Sequence, residues 1–91
     1  MSASALFLTI EEGRIVSLLE QSGLRLDSAH GEAVLDFSSV RRINAEALRA
    51  LEHFARIADE KAVKIVLSGV NVDVYKVLKL VKLAQRVSFL H

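Results

Sequence analysis

The chain has 91 residues, of which 52% are hydrophobic, and its twelve basic and eleven acidic residues leave a formal net charge of +1. This balance creates no overall field toward nucleic acid or anionic lipid, so we expect neither nucleic-acid binding nor direct membrane insertion. The absence of cysteine excludes disulfides and thiolate metal sites. Residues 1–4 do not resemble a secretory signal and no apolar run reaches the roughly 20 residues of a membrane span. We therefore expect one cytoplasmic domain over residues 1–91.

Charge is distributed unevenly along this nearly neutral chain. Residues 1–40 contain six acidic residues and two arginines, whereas residues 61–91 contain six basic residues and a single acid, Asp73. Such an asymmetry can steer a protein partner to one end of the molecule. Solvated helix faces give the same pattern, and that is our interpretation of the basic row Lys76, Lys79 and Lys82.

The first 32 residues give one clear element and one ambiguous element. The apolar run from Ala5 to Ile10 predicts a strand. Residues 11–32 are compatible with a helix, because acidic residues suit a helix N-terminus and precede apolar residues at helical spacing. A second strand that turns back at Glu12 and Gly13 is the alternative. The apolar residues in question are Ile15, Val16, Leu18 and Leu19.

Three later apolar runs predict strands, namely Ala33–Phe37, Val63–Leu67 and Val87–Leu90. The first two are almost continuously apolar, as is typical of parallel strands with both faces buried. Helical segments separate these strands along the chain. The alternation predicts an α/β fold with a mixed, mostly parallel sheet and helices packed against it.

Two amphipathic segments predict helices. The first runs from Ala45 to Lys61, where Asn44 can cap the N-terminus and Glu46 suits the first turn. The second runs from about Val72 to Leu83, with Asn71 as its cap. Its buried stripe is predicted to consist of Val74, Val77, Leu78 and Val81.

The sequence gives little support to catalysis. Its three histidines are scattered, no metal-ligand spacing occurs, and the glycine-rich phosphate-binding motifs are absent. Asp36 lies within an apolar strand and could act as an acid, or it could accept hydrogen bonds from loop N–H groups and shape residues 38–44. We expect a non-enzymatic protein without a metal or a cofactor.

The stretch Val34-Leu35-Asp36-Phe37-Ser38-Ser39-Val40, followed by Ile43-Asn44-Ala45-Glu46-Ala47-Leu48, resembles the STAS domain family. In this family a strand leads through a loop into the helix that meets a protein partner. The resemblance continues through residues 65–71, 74–80 and 87–90, so it covers residues 33–90. It is weak over residues 1–32, where the family usually has two strands and a helix, and it implies that an element is missing there. It favours the structural role for Asp36 and implies the STAS-like fold of anti-sigma factor antagonists.

The resemblance also identifies a missing switch. In anti-sigma factor antagonists the loop contains a serine that is phosphorylated by a kinase-like anti-sigma factor. Aligned on Ile43 and Leu48, the family sequence D-S-S-G becomes Asn44-Ala45-Glu46-Ala47 in this chain. Ala45 therefore occupies the usual acceptor position without a hydroxyl. The resemblance implies a protein-binding domain for signalling and transcription regulation that lacks this phosphorylation site.

The partner implied by the resemblance is a kinase-like anti-sigma factor. The alternative is an ABC ATPase, because residues 69–80 also resemble the STAS subunits of lipid-transporting ABC systems. A homodimer through an apolar strand or helix surface is a further expectation. The predicted partner-binding residues are Ser38, Ser39, Arg41, Arg42, Asn44, Ala45, Glu46, Ala47 and Arg49.

Overall fold

The computed structural model describes residues 4–27 and 30–90. Residues 1–3, which entered the argument against a secretory signal, lie outside these ranges. Strands and helices alternate along the described chain. In order, they are β1 (Ser4–Thr9), a 3-10 turn (Glu12–Arg14), α1 (Ile15–Arg25), β2 (His30–Asp36), α2 (Ala45–Glu60), β3 (Lys64–Ser68), α3 (Val72–Leu80), a second 3-10 turn (Leu83–Gln85) and β4 (Ser88–Leu90).

The described strands form one sheet in the order β1-β2-β3-β4, and every pairing among them is parallel. The predicted α/β class is therefore confirmed, and the antiparallel component that a mixed sheet would contain does not occur among these strands. Each connection moves one strand along in the same direction. Right-handed crossovers in such a sheet place α1, α2 and α3 on the same face.

The hydrophobic core lies between that face and the helices. Leu8, Leu35, Leu67 and Phe89 are register partners across the four described strands. They pack in one cluster with side chains from all three helices, which confirms that the helices share a face. The largest of these helical contributions come from Leu19, Leu51, Phe54 and Leu78, each at most 1% exposed.

Residues 4–27 contain one strand and one α-helix, so the helical interpretation of this region is correct and the second strand is wrong. The helix α1 buries Ile15 and Leu19 toward the core. It also approaches α2 closely at Gly23, where an added Cβ would lie 3.2 Å from Cδ1 of Ile57. One strand and one α-helix thus stand where the family resemblance implies two strands and a helix.

The third helix is shorter than predicted, because α3 ends at Leu80 instead of Leu83. Lys82 adopts a left-handed conformation (φ 66°), and its N–H donates to the carbonyl of Lys79 at 3.1 Å. This turn removes Val81 from the predicted buried stripe and leaves it 47% exposed, whereas Val74 and Leu78 are buried. The segment contains no glycine or proline that would have indicated a helix end.

The connection between β3 and α3 packs directly on the loop that follows β2. Gly69 has a φ of 69°, which disfavours any residue with a side chain. A Cβ added there would lie 2.8 Å from Cβ of Ser38 and 3.0 Å from its backbone nitrogen. The two connections can come this close only because residue 69 lacks a side chain.

We therefore expect Gly69→Ala to lower the free energy of unfolding by about 2–4 kcal/mol, from the left-handed backbone and the overlap together. Urea denaturation would measure the change. Gly13→Ala is the matched control, because nothing lies within 4 Å of an added Cβ at that position. Equal stabilities of the two variants would show that the contact with Ser38 is not a constraint.

Candidate functional site

The predicted partner-binding residues begin in the loop between β2 and α2, residues 37–44. This β2–α2 loop lies at the carboxyl edge of the parallel sheet, where the strands end and the connections meet. Two buried side chains anchor it, because Phe37 is fully buried and Val40 is 1% exposed. The N–H of Phe37 donates to the carbonyl of Ser68, and the N–H of Val40 donates to the carbonyl of Phe37. The first half of the loop is thereby a tight turn fixed to the neighbouring strand β3.

Asp36 shapes the start of the loop, as the structural interpretation predicts. Its Oδ1 accepts a hydrogen bond from the N–H of Ser38 at 2.9 Å. This bond, together with one from the Ser38 side chain, lowers the pKa of the Asp36 carboxyl below its usual value. Hydrogen bonds to the charged form favour that form. Asp36 therefore acts here as an ionised acceptor that holds the loop.

Glu12 ties the second half of the loop from another part of the chain. Its Oε1 accepts from the N–H groups of Arg41 at 2.6 Å and Arg42 at 2.9 Å. The N–H of Arg42 contributes most and that of Arg41 second, and both hold the pKa of the Glu12 carboxyl below its ordinary value. The sequence placed Glu12 either at a helix N-terminus or in a turn between strands. It did not predict the contact with the loop, because no local pattern marks a contact between residues about thirty positions apart.

Asn71 holds the loop from the opposite connection. Its Nδ2 donates to the carbonyls of Val40 at 3.3 Å and Arg41 at 3.1 Å. Its Oδ1 accepts from the N–H of Val74 at 2.8 Å and so caps α3 as predicted. The same amide thus caps a helix and donates to two loop carbonyls. The cap was predicted from the sequence, and the contact with the loop was not.

The loop ends where Asn44 caps α2. Asn44 Oδ1 accepts from the N–H of Ala47 at 2.8 Å, which confirms the predicted cap. An asparagine at this position satisfies one of the free N–H groups of the first turn. The direction of α2 relative to the loop is consequently fixed.

Most of the predicted partner-binding residues are exposed and contiguous along the loop and the first turns of α2. Ala47 is the exception, because it is only 4% exposed and belongs to the core cluster. It lies on the apolar stripe of α2 with Leu51 and Phe54, so its side chain faces mainly the core, and its assignment to partner binding stays a prediction. The exposed members are Ser38, Ser39, Arg41, Arg42, Asn44, Ala45, Glu46 and Arg49.

A groove between α1 and α2 continues this surface. From α1 it is lined by Val16 and Glu20, and from the loop and α2 by Arg42, Glu46 and Arg49. The residues from α1 were not predicted, because the sequence left open whether that segment was a helix. We call the exposed loop residues, the first turns of α2 and this groove the α2 surface.

The α2 surface is rich in arginine. Among the described residues, ion pairs join Glu11 to Arg14 and Glu52 to Arg56, and none involves the side chains of the arginines at positions 41, 42 and 49. These three guanidinium groups can pair with an external carboxylate. The carboxylates of Glu12, Glu20 and Glu46 line the adjoining groove, and the charges of Arg41 and Arg42 help to lower the pKa of Glu12. Arginine is enriched among residues that dominate binding energy at protein interfaces.

Two further features were searched for in the part of the chain that the structure describes. No group of three histidine, aspartate or glutamate side chains within it is arranged to hold a metal. None of the described helices combines the length and the apolar character needed to cross a bilayer.

These features define a small parallel α/β domain with a fixed, exposed loop that leads into a partly exposed helix. The family model described as "Mlab, STAS domain" matches residues 11–90. The chain therefore belongs to the STAS domain family, as the sequence resemblance indicates. A search of curated proteins found no match.

Solved structures show the same fold at low sequence identity. A sulfate transporter family protein from Wolinella succinogenes has a TM-score of 0.79 and 18% identity, covering 93% of this chain and 75% of that one. A chain from the stressosome, described as a signal integration and transduction hub, has a TM-score of 0.76 and 20% identity, covering 98% and 83%. A Thermotoga maritima protein described as an anti-sigma factor antagonist has a TM-score of 0.69 and 19% identity, covering 98% and 74%. The predicted STAS-like fold is confirmed.

The role of Glu12 leads to a pH-dependent prediction. Because its pKa is lower in the folded chain, its carboxylate stabilises the fold above the unfolded-state pKa, and this contribution is lost as pH falls through the folded-state pKa. We expect Glu12→Gln to be less stable than the wild type at pH 7, and the difference to narrow below about pH 4.5.

Urea denaturation between neutral and acidic pH would measure this narrowing. Glu20→Gln is the control, because it removes an exposed carboxylate of α1 that makes none of these loop hydrogen bonds. A stability difference for Glu12→Gln that stays constant across the pH range would contradict the proposed role of the ionised carboxylate.

Proposed function

We propose that this chain is a non-enzymatic, cytoplasmic regulatory domain that binds a protein partner through the α2 surface. The observation that carries the proposal is the β2–α2 loop, whose N–H groups and carbonyls are held by Glu12 and Asn71 from two other connections. A loop that is ordered before binding loses less conformational entropy when the complex forms. Such a loop is suited to recognition by shape and charge.

The domain has no switch at the position where the family is phosphorylated. Ala45 is the first residue of α2 and is exposed, but its methyl group cannot accept a phosphate. A phosphate at that position would add a charge of about −1.5 to −2 to the centre of the docking surface. Because this chain lacks the hydroxyl, we infer that its surface is continuously competent to bind.

The arginine side chains of the α2 surface suit acidic groups on a partner. Arg41, Arg42 and Arg49 project from it without intramolecular ion pairs in the described chain, so each can pair with a carboxylate of a partner. The first candidate is an anti-sigma factor of the kinase-like class, in line with the STAS family membership. The second is an ABC ATPase, which is supported by the resemblance of residues 69–80 to the STAS subunits of lipid-transporting systems.

Charge reversal tests the docking surface. We expect Arg49→Glu and Arg42→Glu each to weaken binding at least about tenfold, because each places a carboxylate where a guanidinium meets an acidic partner. Isothermal titration calorimetry with purified candidates of both classes from the same organism would measure the affinities. Lys76→Glu is the control, since it makes the same change in charge on the exposed face of α3.

The proposal would be supported, and the partner identified, if a candidate of either class bound the wild type and Lys76→Glu equally well and bound both arginine variants more weakly. If Lys76→Glu weakened the complex and the two arginine variants did not, the docking surface would lie elsewhere. Failure of both classes to bind the wild type would contradict the partner assignment.

The missing hydroxyl provides a second test. Ala45→Ser restores an acceptor at the first residue of α2. We expect a kinase-like partner to phosphorylate this serine and then to dissociate from the domain. Mass spectrometry would locate the phosphate, and gel filtration would follow the complex. The wild type is the control, because it retains Ser38 and Ser39. Phosphorylation of the wild type at either serine would contradict the inference of a domain without a switch.

A further inference from the structure

The sheet has a second face that none of the described helices covers. Side chains alternate between the two faces of a strand, so every second residue points away from the helices. On this open face none of the side chains belongs to the core cluster or packs against it. All-parallel sheets almost always have both faces covered, so an open one is unusual. The open face consists of Ala5, Phe7, Thr9, Glu32, Val34, Asp36, Lys64, Val66, Ser68, Ser88 and Leu90.

The open face has an apolar row between two polar rows. Phe7, Val34 and Val66 are register partners in the middle of the sheet. Their exposure falls across the sheet, from 73% at Phe7 through the half-buried Val34 to 9% at Val66. On one side of this row Glu32 is the register partner of Lys64, without an ion pair between them within the described chain. On the other side lie Thr9, Asp36, Ser68 and Leu90, the last of which is 57% exposed.

We propose that the open face binds a second copy of this chain, with the two sheets stacked face to face. A two-fold axis that runs parallel to the strands, midway between β2 and β3, places β2 of one copy over β3 of the other. Residues at the same level then face each other, because rotation about this axis preserves the position along a strand. Val34 faces the Val66 of the second copy, and Glu32 faces its Lys64.

This arrangement is self-complementary in charge and in apolar contact. The symmetry repeats each pair, so two carboxylate–ammonium pairs flank two valine pairs. Apolar side chains on the facing sheets interdigitate, as in other aligned sheet packings. The arrangement also shields Phe7, which otherwise leaves most of an aromatic ring in water.

The other simple symmetry is unfavourable. A two-fold axis that runs across the strands along the apolar row would reverse the direction of the facing strands. Glu32 would then face Asp36 of the second copy, and two carboxylates would lie opposite each other twice. Like charges placed opposite each other at an interface disfavour the association. The charges therefore select the axis parallel to the strands.

The size of the open face sets the strength of the dimer. Four strands about 4.8 Å apart and six residues of about 3.3 Å each give a face of roughly 20 × 20 Å. Such a face offers about 400 Å² per copy, which is below the range of standard interfaces and in the range where complexes are weak and transient. The dimer should accordingly appear only at high protein concentration.

Sedimentation equilibrium from about 10 μM to about 1 mM covers the range expected for such an interface. We expect the average mass to rise toward twice the monomer mass. Phe7→Ser should weaken association at least about tenfold without loss of stability, because this side chain is exposed in the monomer. Leu80→Ser is the matched control, since Leu80 is 82% exposed at the end of α3 and lies away from the open face.

Charge swaps identify the axis. Glu32→Lys alone places two lysines opposite each other in both symmetric pairs, and it should abolish the rise in mass. The double change of Glu32→Lys with Lys64→Glu restores opposite charges in both pairs, and it should restore association. Urea denaturation of each variant would separate a change in folding from a change in association.

Three results would overturn the proposal. The first is a wild type that remains monomeric up to the highest concentration. The second is a dimer that Leu80→Ser weakens and Phe7→Ser does not. The third is a double charge variant that folds normally and remains as monomeric as Glu32→Lys. None of these results depends on the α2 surface, so they leave the proposed function untouched.

Discussion

The proposed docking surface depends on a loop whose polar backbone groups are satisfied by side chains from elsewhere in the chain. A loop at the edge of a parallel sheet has N–H and carbonyl groups that no strand or helix pairs, and leaving them unsatisfied has a free-energy cost. Here a carboxylate from Glu12 accepts from two consecutive N–H groups, and the amide of Asn71 donates to two consecutive carbonyls. Because these tethers come from the connections before α1 and before α3, the loop conformation depends on the correct assembly of the whole sheet.

This dependence explains why small residues and caps cluster at the carboxyl edge of the sheet. Gly69 lets the connection after β3 approach Ser38, and this approach brings Asn71 within reach of the loop. Asn44 and Asn71 each cap the helix that follows their connection. Helix starts, loop tethers and strand ends are therefore parts of one hydrogen-bonded arrangement, and α2 leaves it in a fixed direction.

The features that sequence predicts well here are those with a local physical cause. Strands follow from apolar runs, and both caps follow from an asparagine immediately before an amphipathic segment. The side chain of Glu12 could not be assigned in this way, because its partners lie about thirty residues away. The end of α3 was missed because a lysine adopts the left-handed conformation usually taken by glycine. The burial of Ala47 follows from the helical period, which places it beside Leu51 and Phe54, although the family resemblance puts it among the partner-binding residues.

Sequential strand order divides the molecule into two surfaces with different properties. Because all three described crossovers place helices on one face, the groove between α1 and α2 lies on the helical side of the sheet and the open face lies on the other side. A dimer formed through the open face would therefore present two such grooves facing outward. A domain whose loop cannot be switched by phosphate at residue 45 can still be regulated through such an arrangement. Two linked docking surfaces bind a partner that has two matching sites more tightly than one surface does, because the second contact is intramolecular. Local protein concentration would then take the place of a covalent modification as the variable that controls binding.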